Sequence, residues 1–63
     1  MQTFNVKGMT CEHCRRAVIR AIHSRDGNAK VDVDLEAGVV QVEGGLDEAS
    51  IREAIEEEGY QVQ

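Results

Sequence analysis

The sequence predicts an α+β protein of two layers, an antiparallel sheet with two helices packed on one of its faces. Two observations carry that expectation. In short runs, apolar and polar residues alternate, which is the period of a half-buried strand. In two longer runs, apolar residues recur three and four positions apart, which is the stripe of an amphipathic helix. The elements follow in the order strand, helix, strand, strand, helix, strand. One-sided alternation leaves one sheet face for the helices and one for water.

The chain has 63 residues, and residues 1–63 are expected to form one domain. A chain of this size buries only about 60% of its unfolded surface, so the core must be small.

From Thr3 to Lys7, Phe4 and Val6 face one way and Thr3, Asn5 and Lys7 the other, as in a first strand. Gly8 breaks it. Met9 is the one apolar residue of the loop that follows, and is read as a plug beneath that loop rather than a thioether ligand. Thr10 is the expected N-cap of the first helix. Cys14, Ala17, Val18, Ala21 and Ile22 form the helix stripe, so Cys14 should lean toward the core and leave Cys11 the more exposed sulfur. Arg15, Arg16, Arg20 and His23 fall on other faces. The helix should end near Ser24–Arg25, before the turn signal Asp26-Gly27-Asn28.

Val31, Val33 and Leu35 alternate with charged residues in a second strand. Ala37-Gly38 turns the chain, and Val40 and Val42 mark a third strand that closes a hairpin. Gly44-Gly45 ends it. Asp47 is the expected N-cap of the second helix, with Leu46 and Ile51 spaced as a hydrophobic staple. Ile51, Ala54 and Ile55 supply its buried stripe, Gly59 its C-terminal stop, and Tyr60 and Val62 a short last strand. Glu56, Glu57 and Glu58 are read as a solvated face, with an acidic docking patch as the competing reading.

The formal net charge is −5, with one Tyr and one Phe. An acidic chain without aromatic platforms is not built to bind nucleic acid. No apolar run has the length of a membrane span or a secretory leader. The chain opens with Met and enters a strand pattern at once, so a whole, cytoplasmic polypeptide is expected, with no membrane insertion, although an excised domain would look the same.

The protein has two cysteines and no proline. Both cysteines lie in the Cys11-x-x-Cys14 loop, between a strand and a helix. A helix N-terminus offers unpaired N–H groups and partial positive charge, which favour thiolate over thiol. Three chemistries use such a pair. A structural zinc site needs four ligands, and His23 would sit roughly 13 Å along the helix from Cys14. A thiol–disulfide enzyme calls for a thioredoxin-like pattern, for which the chain is short and lacks a cis-proline. A low-coordinate soft cation needs only the two sulfurs, and thiolates select Cu(I). The third fits best.

The run Gly8-Met9-Thr10-Cys11-x-x-Cys14 resembles the metal-binding loop of the heavy-metal-associated domains. That family includes bacterial copper chaperones and the N-terminal domains of copper-transporting P-type ATPases. The resemblance spans nearly the whole chain, through Val31-x-Val33-x-Leu35 with Gly38 to Ala54-Ile55-x-x-x-Gly59-Tyr60. It implies a ferredoxin-like βαββαβ fold, Cu(I) bound by Cys11 and Cys14, Met9 as a buried support and Tyr60 beside the metal. Thr10, where many zinc and cadmium members have Asp, favours copper. His13 departs from the commonest members; it is read as an exposed loop residue, with a third ligand or a tuning group as the alternative.

The expected function is therefore that of a non-enzymic cytoplasmic copper chaperone. It would pass Cu(I) by ligand exchange to a cysteine-pair domain of a copper-transporting P-type ATPase, or to a copper-responsive regulator. The Arg15, Arg16 and Arg20 surface would meet an acidic patch on that target. The expected state is a monomer without metal, with a copper-bridged dimer as an open alternative. A metal buffer, a carrier of silver, mercury or zinc, and a thiol–disulfide oxidoreductase are the other readings.

Overall fold

A computed structural model describes all 63 residues. The elements are β1 (Gln2–Lys7), α1 (Glu12–Arg25), β2 (Lys30–Asp34), β3 (Val39–Glu43), α2 (Glu48–Glu57) and β4 (Gln61–Val62). The strands lie in the order β2-β3-β1-β4, each antiparallel to its neighbours. This is the ferredoxin-like two-layer arrangement expected from the sequence.

Register decides which side chains meet the helices. Val33, Val40 and Phe4 stand on one rung across three strands, and all three are buried. The next rung, Asp34, Val39 and Asn5, points to the other face. The helices close the first face with Val18 and Ile22 of α1 and Ile51, Ala54 and Ile55 of α2, each 0% exposed. Full burial of a Val or Ile side chain stabilises by about 1.5–3 kcal/mol, and these few side chains carry most of the core.

Two strands are shorter than their patterns. Leu35 lies beyond β2, because Asp34 starts a turn: its Oδ1 accepts from the Ala37 amide at 3.0 Å and its carbonyl from the Gly38 amide at 2.9 Å. An Asp side chain competing for backbone donors ends a strand in this way. Tyr60 lies before β4, on the turn made by Gly59 at φ +93°. That positive φ suits glycine, and the Gly59 amide reaches the Glu56 carbonyl at 3.0 Å, as a helix stop requires.

The acidic run at the end of α2 is a solvated face, and one of its members also pairs with the other helix. Glu57 pairs with Arg25 at 2.9 Å, and Glu53 joins at 3.3 Å. Arg25 is thereby held between the two helices, its guanidinium pKa raised chiefly by Glu57. Glu56, Glu57 and Glu58 are all exposed.

Candidate metal-binding site

The site begins where β1 stops. Gly8 turns the chain at φ +101°, and a Cβ there would lie 3.3 Å from Tyr60 Cδ1. Backbone and space both call for glycine. Met9 then drops into the core at 6% exposure and ties the base of the loop to the protein. Met9 is one of the buried core residues, where a plug would sit.

The N-cap of α1 is Cys11, not Thr10. Cys11 is extended at φ −154°, and its carbonyl accepts from the Cys14 and Arg15 amides at 3.0 and 3.2 Å. No side chain caps this helix. Thr10 lies one residue too early to reach the first-turn amides. The position that usually holds an oxygen acceptor instead holds a sulfur.

Cys14 lies one turn on, half-buried against the core, and Cys11 is exposed. Both are free, with their Sγ atoms 3.8 Å apart. The Tyr60 phenol, followed by backbone groups of Thr10 and Cys11, lowers the Cys14 thiol from 9.0 to about 6. The same interaction with Cys14, together with burial, pushes Tyr60 up to about 12. At neutral pH, Cys14 is thus largely thiolate, the form that binds metal.

With the zinc–thiolate length of about 2.3 Å as a yardstick, the observed 3.8 Å spacing subtends about 111° at an ion between the sulfurs. Linear two-coordination would need about 4.6 Å at that bond length. The exposed Cys11 side chain can supply the extra distance. No group of three or more His, Cys, Asp or Glu side chains is placed so that it could hold a metal ion. His13 is exposed on the first turn of α1, and His23 is engaged elsewhere, its Nε2 2.9 Å from the Ala29 carbonyl.

The arginines beside the loop are not equivalent. Glu12, between the two cysteines, pairs with Arg15 at 3.1 Å and reaches Arg16 at 4.0 Å. Arg20 is exposed and forms no ion pair. Spacings of three and four residues from Glu12 were the sequence signal for these pairs. Nothing as local marked Cys11 as the N-cap or set Tyr60 against Gly8 and Cys14.

The sequence profile of the heavy-metal-associated domain matches residues 3–61. The copper chaperone CopZ of Staphylococcus saprophyticus is 42% identical over 97% of this chain and 94% of its own length. CopZ of Bacillus subtilis is also 42% identical, over 97% and 93%. Among solved structures, the copper chaperone Atx1 from Synechocystis PCC6803 in its Cu2 form superposes with a TM-score of 0.97, at 33% identity and full coverage of both chains. A CopZ metallochaperone does so at 0.92 and 38% identity, over 98% and 97%. With a profile match over nearly its full length and relatives this similar, the chain belongs to the heavy-metal-associated domain family.

Proposed function

We propose that this chain is a copper chaperone, in which residues 1–63 act as one domain and Cys11 and Cys14 carry Cu(I) as cargo. The observation that supports it most is the pair of free sulfurs 3.8 Å apart at an uncapped helix start, one of them held down to about 6. Relatives named as copper chaperones support copper as the metal.

Two thiolates on a monovalent ion leave one net negative charge, which the free N–H groups of the first turn of α1 offset. The exposed Cys11 is the sulfur a target reaches first. A thiolate of the target's own cysteine pair enters the coordination sphere before Cys11 leaves, so the ion is never free. The exchange is associative, as in thiol–disulfide exchange. The target is a cysteine-pair domain of a copper-transporting P-type ATPase, met in the cytoplasm. No helix of the chain is long and apolar enough to cross a membrane. Arg15, Arg16 and Arg20, with the half-buried Ile19 between the last two, are the surface that steers an acidic target.

The test is anaerobic mixing of the Cu(I)-loaded chain with such a target domain in the presence of a strong Cu(I) chelator. Copper should reach the target without passing through the chelator. If the chelator intercepts it, the chain is a buffer and not a carrier. Native mass measurement on the same samples reads stoichiometry and any copper-bridged dimer.

A further inference from the structure

We infer that Glu12 is a built-in competitor for the arginines that dock the target, and so sets how readily the loaded loop is engaged. The inference rests on the carrier reading above and concerns the regulation of that docking. Its basis is placement. Glu12 is the residue after Cys11, at the rim of the site, and its carboxylate already sits 3.1 Å from Arg15 and 4.0 Å from Arg16. A target that presents carboxylates to this surface offers Arg15 the group it already holds and Arg16 the group it already stands near. Arg20, with no such partner, is open to the target from the start.

The exchange is balanced in charge, because the target's carboxylate replaces Glu12 at the guanidinium groups. The released Glu12 is left exposed beside an acidic partner. Exposed pairs at this spacing hold weakly, by about a factor of two each. Glu12 therefore slows docking without blocking it. It also weakens the finished complex, which suits a carrier that must leave after the metal has moved. Glu12 also lies in the first turn of α1, where a carboxylate favours the helix dipole, and the experiment must separate that role from competition.

Transfer from chain saturated with Cu(I) to the cysteine-pair domain of a copper-transporting P-type ATPase is timed at low and high salt. Wild type, Glu12→Gln, Glu43→Gln and an Arg16→Glu/Arg20→Glu double variant are compared. Glu43 is exposed at the far end of β3, opposite Lys30, so its neutralisation makes the same change in net charge away from the arginines. Glu12→Gln should speed bimolecular transfer about three-fold at low salt. The gain should vanish near 1 M salt, where the Debye length is about 3 Å. Glu43→Gln should change the rate much less. An equal effect of Glu12→Gln and Glu43→Gln overturns the inference, since net charge then explains both. A Glu12→Gln chain that melts earlier but transfers no faster also overturns it, leaving Glu12 a helix-stabilising residue. If the arginine double variant slows transfer while Glu12→Gln does not speed it, docking stands and the Glu12 inference alone falls. If the arginine variant transfers at the wild-type rate, docking through this surface falls and the inference goes with it.

Discussion

The two helices of this protein start in opposite ways. α2 starts on Asp47, whose Oδ1 accepts from the Ser50 amide at 2.8 Å. Leu46 packs against the core just before it, and Ile51 is fully buried just after. Hydrogen bonds from Ser50, its side chain first and then its amide, hold the Asp47 carboxyl below its ordinary range. α1 starts on Cys11, has no side-chain cap, and faces solvent. An N-cap of Ser, Thr, Asp or Asn is worth about 1 kcal/mol over a residue that cannot cap. The first helix forgoes that stability, and its orphan amides stay available to the sulfurs. The core beneath both helices, from Val18 and Ile22 to Ile51, Ala54 and Ile55, makes the open start tolerable.

Exchanging the two kinds of start tests this comparison most severely. Cys11→Asp gives α1 the cap that α2 has. Its Cu(I) affinity should fall by more than the about 100-fold lost when a second-shell partner is removed. The metal-free chain should gain about 1 kcal/mol, or roughly 4–8 °C in melting temperature for a domain this small. Chelator competition and thermal melting read the two effects. A loss of stability would mean that Cys11 does more for the fold than its geometry implies.

The support beneath the comparison is the core. Ile51→Ala should destabilise by about 2–4 kcal/mol, seen in urea unfolding, while the fraction that remains folded still loads copper. A further prediction concerns pH. Cys14 titrates near 6 in the folded chain against 9.0 for a free thiol. A depressed pKa adds stability that is full above 9.0 and is lost as pH falls toward 6. Metal-free wild type should therefore gain stability across that window, and Cys14→Ser should lack this gain. Tyr60→Phe removes the largest cause, so the thiolate absorbance should titrate at higher pH. An unmoved titration would remove Tyr60 from the site. The smallest effect is at the other helix start. Asp47→Ala should cost about 1 kcal/mol in unfolding experiments and leave Cu(I) affinity as it was.

The fold was legible because its signals are local and repeated. Period-two runs through Phe4, Val6, Val40 and Val42 and helical stripes through Val18, Ile22, Ile51 and Ile55 each report burial directly. Asp47 and Gly59 punctuate α2 as their chemistry requires. Thr10 misled because capping depends on where the first helical turn begins, and that turn begins one residue later. Leu35 kept the strand alternation, but the Asp34 side chain had already taken the backbone into a turn. The Arg25 clamp on Glu53 and Glu57 joins residues 28 and more positions apart, which no short-range pattern reports. In the site, the two sulfurs were legible from spacing and their unequal exposure from the helix stripe. The hold of Tyr60 on Cys14 was not legible from spacing, because it depends on how the end of α2 packs against the loop. The family resemblance alone pointed to it.

On the proposed function, the sulfurs at the uncapped start of α1 are what hold copper. Anaerobic Cu(I) titration against a competing chelator, read by X-ray absorption at each step, tests it directly. The expected result is a sulfur-only coordination shell saturating at the first equivalent, unchanged in His13→Ala and absent in Cys11→Ser/Cys14→Ser. Cu(I) uptake by the double serine variant at wild-type strength, or a shell that keeps nitrogen or oxygen ligands in wild type, would contradict it.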